Sequence, residues 1–125
     1  MDQKILENKK ESQRILNKYH NRVPIIVNKK KISLLPDLKK NKYLVPKDMV
    51  ISQFIFIIRK NLTLSSSEAL FITINDKLCA SNKKIVELYE EEKDEDGFLY
   101  IIYSSENTFG WNLFQKMNKI KIILN

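Results

Sequence analysis

The chain carries few of the side chains on which enzyme chemistry depends. Its 125 residues include one cysteine, Cys79, and one histidine, His20. A thiol and an imidazole can act as nucleophile and base when a third group orients them, but neither residue lies in a motif that supplies such a group. A single thiol also excludes a disulfide framework and a multi-thiolate metal site. Most enzyme chemistries therefore lack the side chains they need, and we expect no catalytic residue and no cofactor.

An acidic segment in the second half of the chain imitates part of a calcium-binding loop. Glu92, Asp94, Asp96 and Gly97 follow the spacing of the first ligands and the turn glycine of an EF-hand. The position that must supply a bidentate glutamate is occupied by Tyr103. We therefore expect no metal site in this segment.

The formal net charge of +7 is distributed unevenly along the chain. Residues 1–60 hold 15 basic and 5 acidic side chains, whereas residues 61–110 hold 4 basic and 10 acidic ones. Such asymmetry indicates a charged partner or a charged surface. Because no nucleic-acid-binding motif accompanies the basic half, we expect no nucleic-acid partner and rank a basic RNA-binding domain last.

Hydrophobic periodicity assigns the elements that must position any site. Apolar residues at spacings of three and four predict helices, and short β-branched or aromatic runs predict strands. We expect, in chain order, a helix over 4–19, strands over 23–27 and 43–45, a helix over 49–60, a strand over 70–74, a short helix over 83–89 and a strand over 98–103. Pro24 indicates an edge or first-residue position for its strand, and the apolar run 98–103 indicates the centre of a sheet.

Two strands, a crossing helix and two further strands form the plan of an α+β ubiquitin-like β-grasp domain. The expected sheet has four strands in mixed orientation, and the helix over 49–60 packs on one of its faces. The narrow apolar stripe of the first helix indicates that this helix packs on the surface of the domain. We divide the chain into an N-terminal helical extension (1–20), a β-grasp domain (21–110) and a C-terminal tail (111–125).

Several long sequence blocks carry a more specific signal than any short motif. The blocks are KYHNRVPIIV (18–27), KYLVP (42–46), QFIFIIRK (53–60), EALFITIN (68–75) and YEEEKDEDGFLYIIYSSENTFG (89–110). In this order the sequence resembles the autophagy-related protein eight family, whose animal members are the light chain three and GABA-receptor-associated proteins. The segments KDEDGFLY and ENTFG also resemble apicomplexan members, which is compatible with a protist source.

The resemblance implies a modifier rather than an enzyme. In the family, the glycine that matches Gly110, here preceded by Phe109, is exposed by an autophagy cysteine protease. Ubiquitin-activating-like and conjugating-like enzymes then transfer its carboxyl group to the amine of phosphatidylethanolamine. A residue without a Cβ suits this role, because its acyl carbon is unhindered. The implied location is the cytoplasm and the autophagosome membrane, with the apicoplast membrane added for an apicomplexan source.

The resemblance also implies docking of receptors and adaptors through short extended motifs, in which an aliphatic residue stands three positions after an aromatic one. Such a peptide would add a strand beside residues 42–46. By residue matching, the aromatic pocket comprises Glu11, Ile15, Pro24, Ile26, Lys42, Leu44 and Phe98. The aliphatic pocket comprises Tyr43, Val45, Pro46, Met49, Phe54 and Ile57. Acidic residues of the motif would contact Lys18, Arg22 and Lys40. The residues that we expect the short edge strand to expose are Pro24, Lys42, Tyr43 and Leu44.

Two questions stay open at the level of sequence. The tail over 111–125 fits a propeptide, an artefact of gene prediction, or an amphipathic helix for a membrane or partner. The leading function is a lipid-conjugated autophagy modifier, and the alternative is a β-grasp peptide-binding or cytoskeletal adaptor that is never conjugated. A departure from the family pattern, Asn61 in place of a basic residue, predicts weaker contacts with the processing protease.

Overall fold

The computed structural model describes residues 2–105 of the chain. Within that range the chain forms three helices and five strands. In chain order they are α1 (Gln3–Lys18), β1 (Arg22–Lys29), β2 (Lys42–Pro46), α2 (Ile51–Asn61), β3 (Phe71–Ile74), β4 (Lys77–Leu78), α3 (Ile85–Glu92) and β5 (Leu99–Ser104). The elements expected from the sequence are all present, with boundaries shifted by at most three residues.

The five strands form one mixed sheet in the order β2-β1-β5-β3-β4. β1 and β5 run parallel in the middle of the sheet, in a register that pairs Ile25 with Leu99. The β1–β2, β3–β5 and β3–β4 pairs are antiparallel. This arrangement confirms the ubiquitin-like fold with an N-terminal helix and the central position predicted for the last strand.

The core lies between the sheet and the helices α2 and α3. The apolar residues of α2 recur at spacings of three and four, and Ile51, Phe54 and Ile58 are therefore buried together along one face. In α3, Ile85 and Leu88 point inward as predicted. α1 contributes a single buried residue, which confirms that this helix packs on the surface of the domain.

The expected number of four strands is wrong, because β4 adds a fifth. The connection between β3 and β4 consists of Asn75 and Asp76, whose φ angles of 50° and 63° are both positive. Two central residues with positive φ form a two-residue turn whose twist matches the right-handed twist of the flanking strands. The turn brings Ile74 opposite Lys77. The hairpin was missed because Asn-Asp is a weaker turn signal than Asn-Gly and β4 has only two residues.

The edge position and the exposure predicted for Pro24 are also wrong. Pro24 is fully buried, and its strand β1 has a hydrogen-bonded neighbour on both sides. The pairing of β1 with β5 begins only at Ile25. A proline without an N–H group can therefore stand in this internal strand, because it precedes the first paired residue on the β5 side.

The start predicted for the second helix, residue 49, is two residues early. Ile51 donates its backbone N–H to the Lys83 carbonyl at 2.8 Å, and Ile85 donates to the Met49 carbonyl at 2.8 Å. These bonds hold residues 49 and 50 in an extended bridge, and α2 begins after it. The Gln53 side chain accepts the Val50 N–H at 3.0 Å and caps the helix.

The loop between β1 and β2 is anchored by a tyrosine of the central strand. The Tyr103 hydroxyl donates to the Pro36 carbonyl at 2.9 Å and accepts the Leu38 N–H at 3.2 Å. These bonds fix the segment that leads into β2. Within residues 2–105, no helix combines the length and the apolar character that crossing a membrane requires.

Candidate functional site

The strand β2 forms one edge of the sheet and turns alternate backbone groups outward, and of these the Leu44 carbonyl already accepts a hydrogen bond from the Arg22 guanidinium. It pairs only with β1, in a register that joins Ile25 with Tyr43 and Val23 with Val45. The Val27 N–H donates to the Asn41 carbonyl at 2.8 Å in the same ladder. Because antiparallel pairing alternates, the backbone groups of Lys42 and Leu44 point away from the sheet. An extended peptide can bond to them.

An open pocket of about 190 Å³ lies beside this edge, between α1, β2 and the start of β5. Its lining residues are Glu11, Ile15, Lys40, Lys42, Tyr43, Leu44 and Phe98. Five of the residues expected in the aromatic pocket thus come together, namely Glu11, Ile15, Lys42, Leu44 and Phe98. The other two, Pro24 and Ile26, are buried in β1, where they pair with Leu44 and Lys42.

A charged pair spans the rim of this pocket. The Lys42 Nζ lies 2.9 Å from a Glu11 carboxylate oxygen and 5.8 Å from the centroid of the Phe98 ring. The Lys42 and Glu11 side chains keep 47% and 34% of their surface exposed. An exposed pair of this kind contributes less than about 1 kcal/mol, so a ligand with its own acidic group can displace it.

The residues expected in the aliphatic pocket come from β2, from α2 and from the segment between them. Tyr43 and Val45 are on one face of β2, whereas Pro46 shares the face of Lys42 and Leu44 because side chains alternate along a strand. The Tyr43 ring meets the Phe54 ring edge to face, with centroids 5.5 Å apart. Val45 and Phe54 are buried in the core, whereas Pro46, Met49 and Ile57 are half-buried. The arrangement is compatible with a shallow apolar surface whose floor belongs to the core, and its use as a pocket stays a prediction.

The three basic residues expected to meet acidic motifs have different surroundings. Lys40 lines the pocket beside β2. The Arg22 guanidinium donates to the Leu44 carbonyl at 3.0 Å and so lies at the outer edge of β2. The Lys18 Nζ lies 5.4 Å from the centroid of the Tyr19 ring, at the end of α1. Lys40 and Arg22 therefore lie at the site, and Lys18 lies outside the pocket lining.

Two features of the site were not predicted from the sequence: the second role of Tyr43, which was expected in the aliphatic pocket only, and the contact with Asn61. Tyr43 lines the aromatic pocket as well as facing Phe54, and its hydroxyl accepts a hydrogen bond from the Asn61 amide at 3.4 Å. A second opening of about 210 Å³ lies there, lined by Leu38, Lys39, Lys40, Tyr43 and Asn61. No local signal identifies Asn61, because only the folded chain brings the end of α2 to β2.

The thiol considered as a nucleophile does not line the pocket beside β2. Cys79 is half-buried in a pocket between β4 and α3, and burial raises the pKa of its thiol. A raised pKa leaves less of the nucleophilic thiolate at neutral pH. Within residues 2–105, no cluster of three or more His, Cys, Asp and Glu side chains could hold a metal ion. Phe109, Gly110 and the tail lie outside the described residues.

Comparison with known proteins agrees with the fold. A family model described as "Autophagy protein Atg8 ubiquitin like" matches residues 7–110. Autophagy-related protein 8 of Kluyveromyces lactis is 48% identical over 102 residues, which cover 82% of each chain. Autophagy-related protein 8e of Arabidopsis thaliana is 46% identical over 110 residues, which cover 88% of this chain and 90% of the relative.

Two solved structures extend the comparison to three dimensions. Trypanosoma brucei ATG8 superposes with a TM-score of 0.76 at 34% identity, covering 80% of this chain and 86% of that one. Plasmodium falciparum Atg8, solved in complex with a Plasmodium falciparum Atg3 peptide, gives a TM-score of 0.77 at 31% identity, covering 82% and 91%. The resemblance found in the sequence is confirmed, and the chain belongs to the Atg8 family of ubiquitin-like autophagy proteins.

Proposed function

We propose that this protein is an autophagy modifier that is conjugated through Gly110 to phosphatidylethanolamine and docks proteins that carry an aromatic-x-x-aliphatic motif. One observation carries the docking half of the proposal. An open pocket lined by Ile15, Leu44 and Phe98 lies directly beside an unpaired strand edge. This juxtaposition suits a peptide that adds a strand and inserts one large side chain.

The chemistry of the site favours a particular kind of peptide. The outward backbone groups of Lys42 and Leu44 bond to the peptide main chain, and the apolar pocket wall accepts an aromatic ring. Lys40, Lys42 and Arg22 attract acidic residues that precede the aromatic one. Their contribution is mainly to the association rate and the orientation of the peptide, since Lys40 and Lys42 are exposed to solvent and Arg22 is only half-buried.

We expect the conjugating enzyme to be one protein that contains such a peptide motif. The Plasmodium falciparum Atg8 structure, which shares the fold, contains an Atg3 peptide. Autophagy receptors and adaptors are the second expected class. Both classes would compete for the β2 edge, so that conjugation and cargo docking would be sequential.

A pair of synthetic peptides tests the docking function. The first has two acidic residues, a tryptophan and a leucine three positions later, and the second has alanine in place of the tryptophan and the leucine. We expect the first to bind with a dissociation constant on the order of micromolar, because ordering a short flexible peptide offsets part of the contact energy. Calorimetry measures both. Equal affinities for the two peptides would exclude the proposed pocket.

The conjugation half of the proposal depends on the family pattern. The family model ends at Gly110, and the residue after it is Trp111. A cysteine protease would hydrolyse the Gly110–Trp111 peptide bond. An activating-like enzyme would first adenylate the new carboxylate with ATP, releasing pyrophosphate, and its cysteine thiolate would displace AMP to give a thioester. A conjugating-like enzyme would take over the acyl group by thioester exchange, and the lipid amine would displace that last thiol to form an amide. The proposed location is accordingly the cytoplasm and the autophagosome membrane.

Intact-mass measurement of membrane fractions tests this chemistry. The chain is produced in starved Kluyveromyces lactis cells that lack their own Atg8. We expect loss of residues 111–125 and gain of one phosphatidylethanolamine in the wild type, and neither change in Gly110→Ala. A version that ends at Gly110 serves as the control, because it needs no protease. If that version also stays unmodified, the alternative of a non-conjugated peptide-binding adaptor replaces the proposal.

A further inference from the structure

One serine joins α1 to the rest of the domain. Ser12 is the only buried residue of α1, with 1% of its surface exposed. Its hydroxyl donates to the Asp96 carbonyl at 2.6 Å and also lies 3.0 Å from the Lys9 carbonyl of its own helix. A small polar side chain at this point lets the helix approach the turn that precedes β5.

The turn that receives Ser12 is rigid. Asp96 is 2% exposed, and its carboxylate accepts the Phe98 N–H at 2.9 Å and the Tyr100 hydroxyl. The Asn8 amide of α1 reaches the same carboxylate at 3.4 Å. A buried carboxylate needs several donors to offset the loss of water, and these donors come from both the turn and the helix.

Gly97 makes the close approach possible. Its φ of +87° is one that L side chains rarely adopt, and a Cβ at this position would lie 2.2 Å from the Ser12 hydroxyl oxygen. On the other side, the Tyr89 hydroxyl of α3 donates to the Gly97 carbonyl at 2.7 Å. The turn is therefore held between α3 and α1, with no room for a side chain facing the helix.

The same contact connects the two walls of the aromatic pocket. Glu11 and Ile15 precede and follow Ser12 in the sequence of α1 and line one wall of the pocket. Phe98 follows the turn directly, is buried, and lines the other. A shift of α1 away from the turn would widen the pocket and separate Glu11 from Lys42, which now lie 2.9 Å apart.

We propose that Ser12, Asp96 and Gly97 form a latch that sets the width of the aromatic pocket without touching the peptide. The three are positioning residues, since they act through Ile15 and Phe98. This inference rests on the proposed docking function. It adds that selectivity for a large aromatic side chain depends on a contact on the inner side of α1, away from the strand edge.

Ser12→Ala removes the hydroxyl, and its effect on the selectivity between two peptides tests the latch. In Ser12→Ala we expect the tryptophan-containing peptide to bind up to about fivefold more weakly, the limit that applies when binding loses the whole contribution of one buried hydrogen bond. A peptide with leucine in place of the tryptophan should lose less than about twofold, because it depends less on the spacing of the walls. Gln13→Ala, an exposed substitution on the same helix, is the matched control and should change neither affinity. Equal weakening of both peptides in Ser12→Ala would overturn the inference, since it indicates general loosening.

Amide hydrogen exchange tests the latch without any peptide. Ser12→Ala should accelerate exchange in residues 9–18 and at Phe98, and leave β3 unchanged. Gly97→Ala should do the same more strongly, because its Cβ displaces Ser12. Unchanged exchange in both variants, or faster exchange with unaltered peptide selectivity, would overturn the latch. If the wild type binds no aromatic peptide while exchange responds as expected, the docking function fails and the latch is only a structural clamp.

Discussion

An open pocket lies at each edge of the sheet, and the two pockets differ in the ion pairs at their rims. Beside β2 the opening is about 190 Å³, and between β4 and α3 it is about 260 Å³. Volume alone would therefore favour the second one. The pocket beside β2 has a single ion pair on its rim, between Glu11 and Lys42. The pocket beside β4 is crossed by two, Lys77–Glu92 at 2.8 Å and Lys83–Glu91 at 2.6 Å.

The length of the edge strand separates the two pockets further. β2 has five residues, whereas β4 has two and follows a tight turn. Strand addition needs a run of outward backbone donors and acceptors, and of these two edge strands β2 offers the longer run. A pocket binds an extended peptide when an unpaired edge runs along it, and ion pairs across the rim act against entry. The β2 side therefore suits docking and the β4 side suits stability.

The largest expected effect is on peptide affinity, when a negative charge is placed at each edge of the sheet in turn. Leu44 of β2 and Leu78 of β4 have similar exposure, 37% and 42%. Leu44→Asp removes an apolar wall and sets a carboxylate against an acidic peptide. We expect calorimetry to record about 30-fold weaker binding of the tryptophan-containing peptide, equivalent to about 2 kcal/mol.

Leu78→Asp is the matched control for this comparison. It should leave peptide affinity within about twofold, because the proposed docking site lies at the opposite edge of the sheet. Both leucines are partly solvated, so the free energy of unfolding should change by less than about 1 kcal/mol in each variant. Weaker binding in Leu78→Asp than in Leu44→Asp would reverse the assignment of the two edges.

The hydrophobic pattern of the sequence predicted those elements whose long-range packing agrees with their local pattern. The apolar run over 98–103 identified the central strand, and spacings of three and four identified α2. Three details of the fold were not predicted, at places where the chain pairs with distant residues. β4 exists because two residues adopt positive φ, α2 starts late because Val50 bridges to Lys84, and Pro24 is buried because α1 and β5 cover β1.

The candidate site could be predicted from the resemblance but not from local pattern. Residue matching gave Ile15, Leu44 and Phe98, which the fold does bring to one pocket. The contact between Ser12 and Asp96 had no signal, because a single serine in a helix usually faces solvent. Its role follows only from the register of α1 on the turn before β5. Hydrogen bonds between distant elements are the part of a site that periodicity does not encode.

The smallest expected effect concerns the ion pairs that close the β4 side. Lys77 and Asn75 donate to the Glu92 carboxylate at 2.8 and 2.6 Å and lower the pKa of Glu92 below its ordinary value of 4.5. A folded-state pKa below the unfolded value means that the stabilisation is complete above pH 4.5 and is lost as the pH falls through the folded pKa. Urea unfolding of the wild type and Glu92→Gln should give midpoints that differ at pH 6 and converge toward pH 3. Glu95→Gln, an exposed substitution, should show no such convergence. A difference between the wild type and Glu92→Gln that is constant from pH 6 to pH 3 would mean that the charge on Glu92 does not help to close this edge.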